Sequence, residues 1–513
     1  MHKYFLTIDN GGTNTKVIIF NELGVQVAVS SFPTRDIQPH SSFHEIDLAR
    51  LWDDLQVSIR DVLDKAQLLG KDISGIATVG HGKGLYVLDK NLQLFTNGIL
   101  SADSRAEYEA NHFEKKIAAI FEISHQHVMA SQAPVILKWM KDHQENIYKN
   151  IGSILSNKDF IGYLLTGEVK QELGDASGNN FINLKTQKYD SRLFDFFGIP
   201  EMFAKMPPLI HAADIRGEIT PEVADKTGLS VGTPVYGGMF DIDACSVATG
   251  VLDESKFSVI AGTWNMNLFP SDSMAALDSG LMNSIFPTGK YLIEASSPTS
   301  AGNLAIILKM LMTAEIRDAK DTNRSIYTDL EAFLQNTDAT FSKVFFFPFL
   351  YGSNVNPDAE GTFIGIRSNT TKSELIRAVY EGIVFAHRYH IESLISVLGK
   401  CPQAIRMSGG ACNSEAWVQM FADILKIPIE LVSASELGGL GGAIASSVGS
   451  GLYNSIEEAV NKMSTVSKKF VPNKRQSDLY DQKYVVYKKL LEKLDDTWTL
   501  LRDTQERLEN NNN

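Results

Sequence analysis

Apolar and polar positions recur with two different periods along this chain, and the switches between them mark its elements. Near the N-terminus two β-rich apolar runs, Tyr4 to Ile8 and Lys16 to Phe20, flank Asp9-Asn10-Gly11-Gly12-Thr13-Asn14, which predicts a strand, a tight turn and a second strand. Val25 to Ser30 alternates as a third strand. From Leu48 the period lengthens: Leu48, Leu51, Trp52, Leu55, Ile59, Val62 and Leu63 recur at helical spacing and predict a helix with one buried face. Ile73 to Val79 and Leu85 to Leu88 read as strands on either side of Gly80-His81-Gly82-Lys83-Gly84. The pattern from Asn111 to Thr166 is mostly helical, clearest over Pro134 to His143 and Lys158 to Leu165, and Glu168 to Pro208 is irregular with short helices. Thr220-Pro221-Glu222 starts a short helix, Thr as cap and Pro at the first helical position. A strand then ends at Tyr236, Gly237-Gly238 turns, and Asp241 opens a helix of small residues.

The second half repeats the first. Phe257 to Phe269 is again an apolar strand, a Gly-Thr turn and an apolar strand, with Gly262-Thr263 matching Gly12-Thr13 at an offset of about half the chain. Two copies of one domain type give such an offset, and a chance likeness of two hairpins is the alternative. Thr371-Lys-Ser-Glu374 is a capping box for a helix that runs through Tyr389. Ala404 to Met407 is a strand, Ser408-Gly409-Gly410 a turn, and Asn413 or Ser414 caps a helix bearing Trp417, Val418, Phe421, Ile424 and Leu425 on one face. After the strand Ile427 to Val432, the run Gly438 to Gly442 opens a helix reaching Val448. Two Gly-rich turns after adjacent strands predict a slot for a flat nucleoside. A charged helix over residues 475 to 508 ends the chain, with Asn511 to Asn513 frayed.

Length and charge narrow the classes. With 513 residues, 44% of them apolar, the chain can form two large lobes, expected over residues 1–250 and 251–475, with a helical tail over 476–513. The net charge is -13 and the basic residues are scattered, so no nucleic-acid partner is expected. Three cysteines, Cys245, Cys401 and Cys412, have neither disulfide density nor zinc-ligand spacing and suit a reducing cytoplasm. The first strand follows Met1-His2-Lys3 directly, and no apolar run approaches the roughly 20 residues of a membrane span, so a cytoplasmic protein without a membrane partner is expected.

The candidate chemistry lies at the turns. Gly11 and Gly12 have no Cβ, so a polyphosphate can approach main-chain N–H groups, while Thr13 and Asn14 add side-chain donors and Lys16 a charge. Asp9 would repel phosphate unless a divalent cation intervened, which suggests Mg²⁺. An ordinary Gly-rich hairpin is the competing reading. His81 and Lys83 sit on a loop whose three glycines could present both side chains at a strand end, although each reads equally as a surface residue. Asp103, in Ile99-Leu-Ser-Ala-Asp-Ser-Arg105, suits a polyol acceptor or a helix cap. Asp241 at a helix N-terminus would stay ionised and could accept a proton; the bland alternative is that Asp241 or Asp243 caps the helix.

Taken in order, the Asp9 to Lys16 hairpin, Gly237-Gly238-x-x-Asp241, the Gly262-Thr263 hairpin and Ser408-Gly409-Gly410-x-x-Asn413 resemble the FGGY family of carbohydrate kinases over nearly the whole chain. Gly82 to Asn91, Ile99 to Arg105, Ser297 to Leu304 and Phe347 to Asn354 are most similar to its L-xylulose and 3-keto-L-gulonate kinase branch. The resemblance implies an α/β protein of two ribonuclease-H-like, actin-type domains with an ATP cleft between them. It implies Asp241 as general base, Asp9 as the Mg²⁺ carboxylate, Thr13 and Thr263 in phosphate loops, and Gly409, Gly410 and Asn413 at the adenosine. It also implies that His81, Lys83 and Asp103 bind sugar. Two departures stand out. Gly12 replaces a Thr common in relatives, and Ser353-Asn354 follows Gly352 where many relatives carry Glu-Arg-Thr-Pro.

Phosphoryl transfer to an alcohol demands positioning and charge neutralisation, which these residues suit. Lobe closure on sugar is expected, to keep water from taking the phosphoryl group. A homodimer is compatible with this reading. Kinases for another pentulose or polyol, an actin-like or Hsp70-like ATPase, and a silent sugar-binding regulator are the alternatives. The glucokinase and repressor family, which shares Asp-x-Gly-Gly-Thr, is shorter and has a Cys-rich zinc loop that is missing here.

Overall fold

In the computed structural model, which describes residues 2–353 and 355–510, strand Tyr4–Asn10 pairs antiparallel with Asn14–Asn21, setting Asp9 opposite Lys16 and Asn10 opposite Thr15. Gln26–Pro33 continues the antiparallel order. On the other flank Tyr4–Asn10 runs parallel to Ile73–Gly80, which runs parallel to Pro234–Phe240, and Ile215–Glu218 adds an antiparallel edge. Alternation along each strand decides what packs where. Leu6, Ile8, Val17 and Ile19 share one core with Leu51, Leu55, Ile59 and Val62 of helix Leu48–Ala66, and with Phe160 and Ile161 of helix Asn157–Thr166.

Thr7, Asp9, Ile18 and Phe20 alternate with those residues and meet helix Leu437–Gly449 instead. Here the structure corrects the sequence reading. The run Gly438 to Gly442 opens this helix, as expected, but forms its buried first turns and not a Gly-rich turn before it. Their value is close approach. A Cβ would stand 2.3 Å from Asp9 Oδ2 at Gly438, 2.5 Å from Ile18 Cδ1 at Gly439, 2.4 Å from the Ala244 carbonyl oxygen at Gly441 and 2.4 Å from Thr7 Cγ2 at Gly442. Glycine in a helix interior costs about 1 kcal/mol relative to alanine, so its use four times in five residues reflects packing and not propensity.

This sheet belongs to a compact unit made of Met1–Asp253, Pro270–Ile293 and Ser433–Thr465; the other unit comprises Glu254–Phe269, Glu294–Val432 and Val466–Asn513. The second unit has the same plan. Lys256–Ala261 and Asn265–Ser271 form the hairpin, Tyr291–Ser297 flanks it, and Lys256–Ala261 runs parallel to Ala404–Ser408. Ile429–Val432 follows in parallel and Val466–Phe470 closes that side antiparallel. The Thr371 capping box forms, and its helix extends to Leu398, past the Tyr389 expected. Ser414, not Asn413, caps helix Glu415–Leu425, whose Trp417, Val418, Phe421 and Ile424 are buried. Lys474–Asn510 is one long helix.

Other differences are local. The strand expected to stop at Tyr236 continues to Phe240, and the turn expected at Gly237-Gly238 is a register break within it, with Gly238 in the left-handed region at φ 74°. Ser353 Oγ accepts from the Val355 N–H at 3.1 Å; Asn354, the other half of that departure, and the frayed end expected at Asn511 to Asn513 lie outside the described residues. Among the described residues no helix is long and apolar enough to cross a membrane.

Replacing Gly441 by Ala forces a Cβ against the Ala244 backbone and should destabilise the first unit by about 1–3 kcal/mol. Thermal or urea unfolding checks this, with Gly12→Ala as the control, because a Cβ there meets nothing within 4 Å.

Candidate active site

The parallel register sets Asn10 beside Gly80 and Gly80 beside Phe240. The residues that follow, Gly11, His81 and Asp241, therefore leave the first sheet at one edge. Neighbouring strands are about 4.8 Å apart, so the three strand ends span roughly 10 Å. The carboxyl ends of parallel strands are where open α/β sheets hold ligands.

Asp241 is the first residue of helix Asp241–Thr249, and Phe240 occupies the N-cap position. Neither Asp241 nor Asp243 is the cap, as the bland reading had it; both lie in the first turn, where unpaired N–H groups favour a negative charge. Asp9 is near. The thiol of Cys245, one turn along the helix, is pushed well above its ordinary range by burial, and then by the charges of Asp241 and Asp9. Both carboxylates therefore bear on one spot.

Burial pushes the Asp9 carboxyl up to about 6, the Lys16 ammonium opposing and Glu436 adding to the rise. Lys16 is itself engaged, its Nζ 2.6 Å from Glu436 Oε2. A hard oxygen donor with little opposing charge suits Mg²⁺, which is commonly held by one or two carboxylates together with phosphate oxygens. Among the described residues no group of three or more His, Cys, Asp or Glu side chains is placed to hold an ion alone. Asp9 thus fits a cation that arrives with a nucleotide.

The hairpin tip is open. Gly12, Thr13 and Asn14 are exposed and Gly11 is half-buried. Neither glycine uses the left-handed backbone, so backbone freedom is not what the turn takes from them. What remains is access: a Cβ on Gly11 would touch only the Asn14 carbonyl oxygen, at 3.2 Å. The Gly11 N–H donates to that same oxygen at 3.0 Å and the Thr34 N–H to the Thr13 carbonyl at 2.8 Å, which fixes the tip.

His81 is buried, not a surface residue, and burial brings its imidazole down to about 4, so it is uncharged. Its Nε2 is 3.1 Å from the Tyr86 hydroxyl and its Nδ1 3.3 Å from the Gly82 carbonyl oxygen. Lys83 is half-buried, at φ 63°, with Nζ 5.9 Å from the centre of the Phe240 ring. Asp103 is 2 % exposed, so water contributes little to its solvation. It accepts from Arg105 Nε at 2.9 and 3.0 Å, from Arg105 Nη2 at 2.8 Å and from the His44 N–H at 2.8 Å. It caps no helix; the next one, Glu107–Glu114, has Ala106 at its N-cap. Arg105 also reaches Glu45 at 2.8 Å and lies 4.1 Å from the centre of the Phe43 ring.

In the second unit Ile260 and Ser408 are register partners, so Gly262 and Gly409 leave adjacent strand ends. Gly409 has φ 91°, and a Cβ there would stand 2.7 Å from the Ala261 carbonyl group, so only glycine fits. Thr263, Gly410 and Asn413 are exposed, while the Ala301 N–H donates to the Gly262 carbonyl at 2.9 Å. A Cβ on Gly262 would meet nothing, as at Gly12.

Sequence reasoning missed several side chains. Asn10, Asn157 and Tyr86 form hydrogen bonds beneath the first hairpin. Lys158, Asp159, Arg216, Glu172 and Asp175 form a buried ion cluster. Burial, with Asp159 and Glu172 adding and Lys158 opposing, pushes the Asp175 carboxyl up to about 8. The adjacent charges Lys158-Asp159 in an otherwise apolar helical segment were the available signal.

The raised Asp9 carboxyl yields a measurable pH dependence. Its contribution to stability is fully present below the ordinary carboxylate value of 3.8 and is lost as pH rises through about 6. Asp9→Asn cannot titrate. It should gain in Tm over the wild type across that window in metal-free buffer, by an amount on the order of 1 kcal/mol per unit of pKa difference. A Tm difference independent of pH would show that Asp9 titrates normally.

Comparison with known proteins agrees with this geometry. Residues 4–248 match the N-terminal domain of the FGGY family of carbohydrate kinases and residues 257–450 its C-terminal domain. The L-xylulose/3-keto-L-gulonate kinase of Escherichia coli (strain K12) is 30% identical over 96% of this chain and 97% of its own length. A probable L-xylulose kinase of Haemophilus influenzae is 31% identical over 96% and 99%. The crystal structure of ligand-bound xylulose kinase from Lactobacillus acidophilus superposes with a TM-score of 0.87 over 97% of this chain and 100% of that one, at 22% identity, and so shares the two-domain, actin-like α/β fold. This chain belongs to the FGGY family of carbohydrate kinases, phosphotransferases that act on a sugar.

Proposed function

We propose that this chain transfers the γ-phosphoryl group of ATP to a hydroxyl of a ketose, with L-xylulose or 3-keto-L-gulonate as acceptor and Asp241 as general base. The observation that carries the reading is the meeting of Asp9, His81 and Asp241 at three adjacent strand ends of one sheet. The relatives that this chain resembles support the choice of sugar.

In this mechanism the Asp241 carboxylate accepts the hydroxyl proton while the acceptor oxygen bonds to the γ-phosphorus and the bond to the β-phosphate oxygen breaks. The N–H group of Gly12, with the side chains of Thr13 and Asn14, cradles phosphate oxygens beside Gly11, whose own N–H holds the turn, and Lys16 lies one strand pair behind them. Within the second unit, Gly262 and Thr263 are the phosphate-binding residues of this reading, and Gly409, Gly410 and Asn413 the adenosine-binding ones. Asp9 would hold Mg²⁺, which would supply charge neutralisation to the phosphate oxygens. The sugar meets the His81 loop, Lys83 and Asp103. The acidic net charge and three free cysteines support a cytoplasmic enzyme with small-molecule ligands in preference to nucleic acid.

The test is ADP release from Mg·ATP against L-xylulose, 3-keto-L-gulonate, D-xylulose, L-ribulose, D-ribulose and glycerol. One ketose should be strongly preferred. Asp241→Asn should lower kcat by about 10² to 10⁴-fold with ATP affinity largely kept, and near-normal turnover would remove Asp241 from the role. ADP release that needs no sugar would identify an ATPase.

The two favoured acceptors differ in charge, 3-keto-L-gulonate carrying a carboxylate. If Lys83 meets that group, Lys83→Ala should raise the KM for the acid about tenfold more than the KM for L-xylulose, the effect of one charge-assisted hydrogen bond. Equal losses on both would place Lys83 elsewhere.

A further inference from the structure

Asp9 and Asn10 are consecutive in strand Tyr4–Asn10 and so face opposite sides of the sheet. Asp9 meets helix Leu437–Gly449, while Asn10 turns to helix Asn157–Thr166. From Asn10 a line of hydrogen bonds leads to the acceptor loop. Asn10 Nδ2 donates to Thr15 Oγ1 at 2.9 Å, and Asn10 Oδ1 accepts from Asn157 Nδ2 at 2.9 Å. Asn157 Nδ2 also donates to the Tyr86 hydroxyl at 2.8 Å, and that hydroxyl lies 3.1 Å from His81 Nε2.

One set of bond directions is consistent along this line. The Gly82 carbonyl only accepts, so the His81 Nδ1 at 3.3 Å carries the proton. Nε2 of a neutral imidazole is then a lone pair, and Tyr86 donates to it. Both hydrogens of the Asn157 amide are used, one toward the phosphate hairpin and one toward the His81 loop. Asn157 and Tyr86 are both 0 % exposed, so water cannot stand in for either. Glycines make the room: a Cβ on Gly80 would stand 2.2 Å from Asn157 Oδ1, and one on Gly98 2.6 Å from the Tyr86 ring.

We propose that Asn157 and Tyr86 are positioning residues for the acceptor sugar, tying the His81 loop to the phosphate hairpin and fixing His81 so that its Nδ1–H edge faces an acceptor hydroxyl. A hydroxyl that takes this N–H displaces only the 3.3 Å bond to the neighbouring carbonyl. The inference rests on the kinase reading above and adds two residues to it.

Tyr86→Phe keeps the ring, stacked on Phe160 with centroids 5.7 Å apart, and removes only the hydroxyl. Steady-state kinetics with Mg·ATP and the preferred acceptor should show the acceptor KM raised about tenfold and the ATP KM changed less than about twofold. Imidazole ¹⁵N NMR of the substrate-free protein should show His81 as the single Nδ1–H tautomer in the wild type and a mixture in Tyr86→Phe. Asn157→Ala should repeat the KM split where it folds, and Tyr86→Phe decides the matter where it does not. An Nε2–H tautomer in the wild type, an unchanged acceptor KM, or equal rises in both KM values would overturn the proposal. A wild type that phosphorylates no sugar would overturn the kinase reading instead, and the tautomer measurement would still judge the relay.

Discussion

Helix Leu437–Gly449 can lie as close as it does to strand Tyr4–Asn10 because no side chain stands at positions 438, 439, 441 and 442. Much of the site's chemistry follows from that approach. With Gly438 against it, Asp9 loses water on that side, and its carboxyl rises toward neutrality. Gly441 seats the backbone of Ala244, which fixes the helix whose first residue is Asp241. Glu436, just before the helix, meets Lys16 on the neighbouring strand. One glycine-faced helix thus sets both the position of one carboxylate and the electrostatics of the other.

The two sheets share strand order and direction, yet their corresponding ends carry different chemistry. Asp9-Asn10 precedes the first turn, Ile260-Ala261 the second. In the second unit, hydrogen bonds to buried neutral side chains anchor the hairpin. Asn265 Nδ2 donates to Thr299 at 3.1 Å, Asn267 Nδ2 to Asn265 Oδ1 at 2.6 Å, and His387 lies 3.0 Å from Asn267 and 3.1 Å from Ser300. Burial holds His387 far below its ordinary range, so no charge enters this network. A duplicated scaffold has ionisable groups at one set of strand ends and open backbone at the other, which suits the division between reacting groups and nucleotide recognition proposed above.

The hairpins, helix Leu48–Ala66 and the Thr220 and Thr371 caps were legible because each is a local pattern: alternation, helical spacing, or a hydroxyl three residues before its N–H partner. The helix that Gly438 to Gly442 open was legible too, but the reason for four glycines in it was not, because it lies in contacts with Asp9, Ile18, Thr7 and Ala244, hundreds of residues away. The same limit applies to side-chain roles. Asp241 was visible from its helix start, and Arg105 stands two residues from Asp103, but nothing local to Asp103 tells that the His44 N–H also holds it, and nothing local to Lys16 points to Glu436.

How Asp103 is held bears on sugar recognition. A carboxylate fixed by three bonds from one guanidinium, which itself packs on Phe43, has little freedom to follow different acceptors. Its Oδ1 accepts from the Arg105 N–H and Nε, and its Oδ2 from Nε, Nη2 and the His44 N–H, so both lone pairs of each oxygen are engaged and a hydroxyl would have to displace one of these donors. Lys83 is the contrast: a long side chain on a left-handed residue between two glycines, its Nζ 5.9 Å from the centre of the Phe240 ring. On the function proposed above, the held carboxylate would keep its loop in place, while the longer Lys83 side chain would adapt to what the rest of the sugar carries. Taking a donor away from Asp103 would leave the buried carboxylate partly unmet, at about 1–3 kcal/mol, so Asp103 resists displacement more than the half-buried Lys83 does.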